Sequence, residues 1–162
     1  MFAIARTFAL MGVAAEPVHV EVDIGGGLPS FTIVGLPDAA VRESRERVRS
    51  ALVNSGFRYP QHRITANLAP ADLRKAGPGF DLAIAAAVLV ASGQLPRTVL
   101  DRYALAGELA LDGAIRPVPG ALAMAEGARG WGMSGVAVAP GDAAHVGYDD
   151  VEAPAAIGAA AG

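Results

Sequence analysis

The chain has 162 residues, 52% of them hydrophobic, which is the length and composition of one compact domain rather than two. Its 13 Lys and Arg residues against 16 Asp and Glu residues give a formal net charge of −3, so nucleic-acid binding cannot be argued from total charge. The absence of cysteine excludes disulfides, thiol nucleophiles and thiolate zinc sites, and the three histidines have no metal-binding spacing. No signal peptide or long apolar span is visible, which predicts a cytoplasmic protein without membrane contact.

The N-terminal third has the alternating pattern of half-buried β-strands. Residues 17–24 alternate strictly between apolar and polar side chains, and the β-prone segment 2–11 ends at Gly12, so a hairpin is predicted. Residues 25–27 are three glycines that predict a plain loop, because no helix follows them directly and no phosphate-binding motif occurs in the chain. A third short strand is predicted over residues 31–34.

Two helices and one strand are predicted in the middle of the chain. Asp38 is predicted to cap a helix of about 17 residues that ends near Gly56. Residues 62–68 alternate again and predict a strand. Asp81 is predicted to cap a helix over residues 82–92, which is apolar on all sides and is therefore expected in the centre of the core.

The last third predicts a hairpin through an Asp-Gly turn, then a modest helix and a buried strand. The segments that carry these elements are 103–111, 114–118, 119–130 and 135–139. One domain is predicted over residues 1–150. The Ala/Gly-rich residues 151–162 are predicted to be a frayed tail or the boundary of a fragment.

Basic residues are concentrated in one part of the chain. Residues 42–75 contain eight basic residues against three acidic ones, whereas the remainder carries five against thirteen. Three of the arginines share one flank of the first predicted helix, and Phe57, Tyr59 and His62 are interleaved as side chains that can stack on unpaired bases. The residues predicted to bind DNA are Arg42, Arg45, Arg49, Arg58, Arg63, Arg74 and Lys75.

The same charges admit two other interpretations. Arg42 and Glu46 have the i,i+4 spacing of a solvated helix face, which describes an idle surface. Alternatively, the arginines pair with acidic groups of a neighbouring subunit or of another domain. Contact with DNA and contact between subunits are compatible with each other in a ring.

Three carboxylates near glycine-bearing turns have the chemistry of an acid–base pair or a magnesium site. Structural roles explain them more simply: Asp81 caps a helix, Asp72 ends a turn, and Glu108 lies in a hairpin strand with a buried partner such as an arginine. The serines of the first predicted helix have no histidine at a recognisable spacing, so nucleophilic catalysis is not expected. No metal site is predicted.

Three segments carry a resemblance to a known family. They are GLPDAAVRESRERVRSA, ITANLAPADLRKAGPGFDLAIA and LAGELALDGAIRPVPG, in this order, and the likeness covers residues 1–145. The chain resembles the N-terminal domain of the YifB/ComM family, bacterial magnesium-chelatase-like AAA+ ATPases. The resemblance implies an α/β (α+β) fold with a mixed sheet and packed helices, similar to the proteolytic domain of Lon protease and to ribosomal-protein-S-five domain two. It also implies a part in DNA processing during natural transformation, within a hexameric branch-migration helicase.

The likeness to Lon implies a domain without peptidase activity. The catalytic serine of Lon proteases lies in a Lys-Asp-Gly-Pro-Ser-Ala-Gly motif, and Gly79 stands at the position of that serine in the matching run 75–81. Leu122 stands at the position of the activating lysine, so both members of a Ser-Lys dyad are missing. Phe80 is either an exposed contact for DNA or a partner, or a plug that fills the place of a protease cleft. The plug is favoured because Phe80 directly precedes the cap of a buried helix.

The resemblance also assigns cofactors and partners to a longer protein. The AAA+ motor with its Walker motifs is not among these 162 residues, so no cofactor is expected here, and ATP and magnesium are expected for the motor. The expected partners are single-stranded or branched DNA, the AAA+ domain of the same protein and neighbouring subunits of a hexamer. The alternative is a protein-interaction module that orients or regulates the motor without touching DNA.

Overall fold

A long β-hairpin begins the chain. The computed structural model describes residues 1–143, 151–152 and 157, and in it β1 (Phe2–Met11) pairs antiparallel with β2 (Ala14–Gly25). Gly12 has a φ of +64° at the turn, where a residue without Cβ is favoured. The predicted hairpin is confirmed, and β2 is longer at both ends than its alternating pattern indicated.

Two further strands complete a four-stranded mixed sheet. β3 (Ser30–Val34) pairs parallel with β4 (Arg63–Ala69), and β4 pairs antiparallel with β2, which gives the order β1-β2-β4-β3. The strands predicted over 31–34 and 62–68 are confirmed within one residue. The glycines between β2 and β3 form a bend and lead into no helix, as predicted.

The first predicted helix is divided into two. α1 (Ala39–Arg42) and α2 (Ser44–Asn54) are separated by a turn at Glu43, so the prediction of one continuous helix is wrong at this residue. The predicted cap is confirmed, since the Asp38 carboxylate accepts a 2.8 Å hydrogen bond from the Val41 amide. α2 packs on α3, the central helix described next.

α3 (Asp81–Ala91) is buried along its whole length and packs on β1 and β2, so the predicted core helix is confirmed. A short 3₁₀ turn, Pro78–Phe80, leads into it. The prediction that Asp81 caps this helix is wrong. Phe80 is the capping residue and makes no side-chain cap, whereas Asp81 is the first helical residue and its carboxylate bonds to other elements.

The rest of the chain adds a parallel sheet and a short hairpin. Its elements are α4 (Thr98–Arg102), β5 (Tyr103–Leu105), β6 (Glu108–Leu109), β7 (Ile115–Arg116), α5 (Ala121–Gly130), β8 (Gly135–Ala137), α6 (Pro140–Ala143) and β9 (Val151–Glu152). β5 pairs with β8, and β8 with β9, both in parallel, while β6 pairs with β7 alone. The predicted helix and last strand are confirmed. The sequence gives α4 no periodic signal, and no element was predicted there.

The hairpin predicted over 103–118 is shorter than expected, because the chain changes sheets between β5 and β6. The Ala106 amide donates to the Ala137 carbonyl and continues the pairing with β8, and the Gly107 amide donates to the Gly79 carbonyl. A Cβ at Gly107 would lie 2.7 Å from the Ile115 side chain, so the crossover requires glycine. This close approach arises only in the folded chain, so the residues around Gly107 carry no sequence pattern that predicts it.

Two apolar clusters hold these layers together. The larger one lies between the sheet, α2 and α3, and the smaller one gathers around α5 on the other face of the hairpin. Ile157 is 1% exposed and its amide donates to the Gly113 carbonyl, so the frayed end predicted for the tail is not found at this residue. The predictions for the rest of 153–162 lie outside the described residues.

The observed architecture confirms a mixed sheet with packed helices. Its specific likeness to the proteolytic domain of Lon stays a prediction. None of the helices in the described part of the chain has the length and hydropathy needed to span a bilayer.

Candidate nucleic-acid interface

A groove of about 320 Å³ lies where α2 passes the start of β3. Its walls combine cationic, aromatic and imidazole side chains with one carboxylate. The residues that carry these groups are Phe31, Arg45, Glu46, Arg49, Tyr59 and His62. The structure therefore brings together two of the predicted DNA-binding arginines and two of the interleaved rings.

Arg49 and Tyr59 form the centre of one wall. The Arg49 Cζ lies 5.4 Å from the centroid of the Tyr59 ring, which is a cation–π contact. Burial raises the pKa of Tyr59, the charge of Arg49 lowers it in part, and Glu46 raises it, with a net increase. The phenol therefore stays neutral at physiological pH and presents a ring that can stack.

Arg45 extends from α2 toward the start of β3. Its Nε donates to the Arg42 carbonyl at 3.1 Å, and its Nη1 lies 3.5 Å from the Phe31 carbonyl. Both acceptors are neutral carbonyls, so neither offsets the positive charge of the guanidinium. Among the residues that the structure describes, no carboxylate forms an ion pair with Arg42, Arg45 or Arg49.

Four other predicted arginines, Arg42, Arg58, Arg63 and Arg74, are exposed but do not line the groove. Arg42 is the last residue of α1. Arg63 begins β4 next to His62. The main chain of Arg58 is fixed by Gln94, whose amide group accepts from its N–H at 2.9 Å and donates to its carbonyl at 2.8 Å. Arg74 lies beyond the opposite end of β3, so the predicted patch is divided.

Lys75 is the clearest correction to the predicted surface. The lysine is 0% exposed, and its Nζ donates to the carbonyls of Gly35, at 2.7 Å, and of Pro70. Burial lowers the pKa of Lys75, and the nearby Asp72 opposes this shift. The prediction that Lys75 contacts DNA is wrong, because its side chain turns inward to the carbonyls beyond β3.

A buried ion pair that sequence reasoning missed lies behind the groove. The Arg47 Nε donates to Asp81 Oδ2 at 2.6 Å, and Ser44 Oγ donates to Asp81 Oδ1 at 2.5 Å. The Leu109 amide completes the shell of Asp81 at 3.0 Å. Arg47 also reaches back across the helix break to the Ala40 carbonyl at 2.6 Å, which gives the break a physical reason.

A helical wheel contains the signal for this inward arginine. At 100° per residue, Arg47 points about 160° away from both Arg45 and Arg49 and toward the buried side of α2. Burial alone lowers the pKa of Arg47, but the hydrogen bond and charge of Asp81, with Glu108 and Glu43, raise it overall. The guanidinium is therefore held charged inside the domain.

The predicted structural roles of the carboxylates differ in detail. Asp81 forms the buried ion pair with Arg47. Glu108 has Arg116 Nη1 at 3.9 Å, so the arginine partner is confirmed, but the Arg116 side chain is 62% exposed and the prediction of a buried partner is wrong. Within the described ranges, no three His, Asp or Glu residues come together as metal ligands.

The positions that match the Lon motif lie in and around the 3₁₀ turn before α3. A Cβ at Gly79 would meet the Val118 side chain at 3.4 Å, and Leu122 is half-exposed on α5. Phe80 is 2% exposed and packs in the larger cluster. The alternative in which DNA or a partner touches Phe80 is therefore wrong, and its role as a plug of a former cleft stays a prediction.

Comparison with known proteins gives the family. A family model described as subunit ChlI of Mg-chelatase matches residues 20–142. The chain is 57% identical over 122 residues to YifB of Escherichia coli, covering 75% of this chain and 24% of that protein. It is 52% identical over 145 residues to YifB of Salmonella typhimurium, covering 90% and 28%.

The competence protein ComM of Haemophilus influenzae is 51% identical to the chain over 120 residues, which cover 74% of the chain and 24% of ComM. The chain thus spans about a quarter of the length of the curated relatives that it matches. Together with the family model, these likenesses confirm the resemblance drawn from the three motif segments. The chain belongs to the magnesium-chelatase ChlI subunit family, with YifB and ComM among its relatives.

Proposed function

We propose that this chain is a non-catalytic accessory domain of a ComM-type, magnesium-chelatase-like AAA+ ATPase, and that it contributes DNA contact and ring assembly. The observation that carries the proposal is the groove of about 320 Å³ in which Arg45 and Arg49 have no carboxylate ion-pair partner among the described residues. Tyr59 and His62 line the same groove.

The chemistry of the groove suits an unpaired DNA strand. Guanidinium groups bind phosphate oxygens through charge-assisted hydrogen bonds, and aromatic faces stack on bases without regard to sequence. Arg45 offers the first kind of group and Tyr59 the second. The negative charge of Glu46 in the same groove repels a phosphate placed next to it. We therefore place the phosphates at the arginines and the base at Tyr59.

The wider setting of the proposal comes from the relatives. One of them is named a competence protein. We propose that the full-length protein takes part in DNA processing during natural transformation, as the family resemblance implies. We assign ATP and magnesium to the motor of the full-length protein, and we place that protein in the cytoplasm as a hexamer. Gly79 and Leu122 supply neither the hydroxyl nor the amine of a Ser-Lys dyad, which supports a domain without peptidase chemistry.

The test is a fluorescence-anisotropy titration with labelled single-stranded and forked DNA at low and moderate salt. We expect affinity that falls steeply with salt, and a loss of at least about tenfold in the double variant Arg45→Glu/Arg49→Glu. The control, Arg97→Glu/Arg116→Glu, changes the net charge equally at exposed arginines outside the groove. Absence of binding at low salt, or equal loss in both double variants, contradicts the proposal.

A second candidate is a protein-interaction module that orients the motor without touching DNA. It is favoured by the far end of β3, where the exposed Leu36 and Arg74 lie outside the groove. This candidate predicts salt-insensitive self-association or docking to the motor, together with no DNA binding in the same titration.

A further inference from the structure

The loop between β2 and β3 borders the groove without closing it. Pro29 and Ser30 line the groove, whereas Leu28 does not and is 89% exposed. The loop is anchored on both sides, since the Ile24 amide donates to the Met1 carbonyl at 2.8 Å and the Ser30 amide lies 3.4 Å from the His62 carbonyl. Leu28 is thus an apolar side chain held next to an aromatic groove.

The glycines that precede Leu28 are not required by packing. No heavy atom lies within 4 Å of an ideal Cβ at Gly25, Gly26 or Gly27, and only Gly27 has a positive φ, of +116°. Alanine would therefore fit at Gly25 and Gly26 without a clash or backbone strain. Gly25 is the last residue of β2 and pairs with Arg63 of β4, so Gly26 is the position at which glycine adds conformational freedom to the loop.

We infer that residues 26–29 close over an unpaired nucleotide in the groove, with Leu28 covering the base. This inference rests on the proposed function and names a further contact residue for it. Arg45 and Arg49 hold the phosphates and the Tyr59 ring stacks on one face of the base. The opposite face is left to the loop between β2 and β3, which carries Leu28 and in which Gly26 supplies the conformational freedom for closure.

The bound state removes the Leu28 side chain from water, which gives closure a driving force. A single exposed leucine is common on protein surfaces and by itself indicates nothing. Here the exposed leucine follows a loop glycine that packing does not require, and it borders a groove whose arginines have no carboxylate partner among the described residues. This combination supports a contact between Leu28 and a bound ligand.

The first test compares substitutions in the loop with one elsewhere. We expect Gly26→Ala to leave the melting temperature unchanged or higher, because alanine restricts the unfolded chain. The same variant should release labelled single-stranded DNA faster and bind it about fivefold more weakly, since the open loop closes less readily. Leu28→Ala should lose about tenfold in affinity through lost apolar contact.

Gly130→Ala is the matched control. Gly130 ends α5, has no heavy atom within 4 Å of an ideal Cβ, and has no positive φ. The substitution changes the chain in the same way at a position outside the groove. We expect its affinity for DNA to equal that of the wild type.

The second test measures closure directly. The chain has no cysteine, so Leu28→Cys introduces one thiol for an environment-sensitive fluorophore. Single-stranded DNA should shift the emission of this label, whereas the same label at Val13→Cys should not respond, because Val13 is 97% exposed at the tip of the first hairpin.

The outcomes separate the two proposals. If the wild type does not bind DNA, the proposed function fails and the inference fails with it. If the wild type binds, but the loop variants match it within twofold and the label at position 28 does not respond, the inference alone is overturned. Weaker binding by both loop variants with a response at position 28 supports it.

Discussion

Asp81 Oδ2 lies 2.6 Å from Arg47 Nε, and this ion pair joins α3 to α2 inside the domain. Asp81 is fully buried and accepts three further hydrogen bonds, from Ser44 Oγ, the Leu109 amide and Arg47 Nη2. The pair therefore links the central helix to the helix that carries Arg45 and Arg49. The Arg47–Asp81 ion pair lies on the side of α2 that faces away from the groove. By holding α2 against α3, it helps to fix the position of the groove.

Replacing Arg47 with methionine should lower the free energy of unfolding by about 3–5 kcal/mol, because Asp81 would keep a buried charge without its partner. Urea unfolding followed by circular dichroism measures this loss. Arg116→Met is the control, since Arg116 is mostly exposed at 3.9 Å from Glu108 and should lose about 0.5 kcal/mol or less. Equal losses of unfolding free energy in the two variants would show that the buried ion pair stabilises the domain no more than the exposed one.

Lys75 should give the domain a measurable pH dependence. Burial lowers its pKa in the folded state, so the unfolded chain binds more protons between that lowered value and about 10.4. Stability from this group therefore rises with pH through the window and is constant below it. The difference in unfolding free energy between wild type and Lys75→Met should grow in favour of the wild type as pH rises toward 10.

Denaturant titrations at several pH values measure that difference, and parallel pH profiles for the two proteins would contradict the prediction. The same variant has a second use. Because Lys75 is buried, Lys75→Met should leave the salt dependence of DNA affinity unchanged, in contrast to substitutions of the arginines in the groove.

Leu36 is the only non-glycine residue with a positive φ in the described part of the chain, at +55°. Leu36→Asn should raise the unfolding free energy by about 0.5–1 kcal/mol, because asparagine tolerates this left-handed conformation better than leucine. Thermal and chemical unfolding measure the gain. Leu111→Asn makes the same chemical change at an exposed leucine without positive φ, and an equal gain there would remove backbone strain as the cause.

Local patterns were sufficient for most elements of the fold. Alternation placed the strands of the mixed sheet, the Asp38 cap placed the start of α1, and uniform apolarity placed α3 in the core. Predictions failed where two distant segments decide the structure. The role of Asp81 depends on the Arg47 guanidinium, 34 residues away, and no spacing within either segment encodes that pairing. The helix break at Glu43 accompanies the same side chain, which reaches back to the Ala40 carbonyl.

The candidate site was predicted only in part, because local patterns reveal some of its residues and the fold determines the others. Arg45 and Arg49 share a helix flank that the sequence shows directly, and the structure adds Tyr59 and His62 to them in one groove. Lys75 has the charge of a surface residue, and only the carbonyls that surround it in the fold show that it points inward. Composition identifies a basic segment, but the tertiary fold selects which of its charges face solvent.

Two kinds of substitution in the groove should affect DNA binding in different ways. Arg45→Gln and Arg49→Gln should each reduce the slope of log affinity against log salt by about 0.7, because each removes one phosphate contact with a single strand. Tyr59→Leu should weaken binding by about 1–3 kcal/mol and leave this slope unchanged, since it removes a stacking ring and no charge.

Tyr59→Phe keeps the ring and separates stacking from the phenol hydroxyl. It should bind single-stranded DNA within about twofold of the wild type, because the π-face that stacks is retained. Anisotropy titrations over a range of salt give both the affinity and the slope, and circular dichroism confirms that each variant is folded. If Tyr59→Leu also lowered the salt slope, the ring would be orienting Arg49 across their 5.4 Å contact rather than stacking on a base.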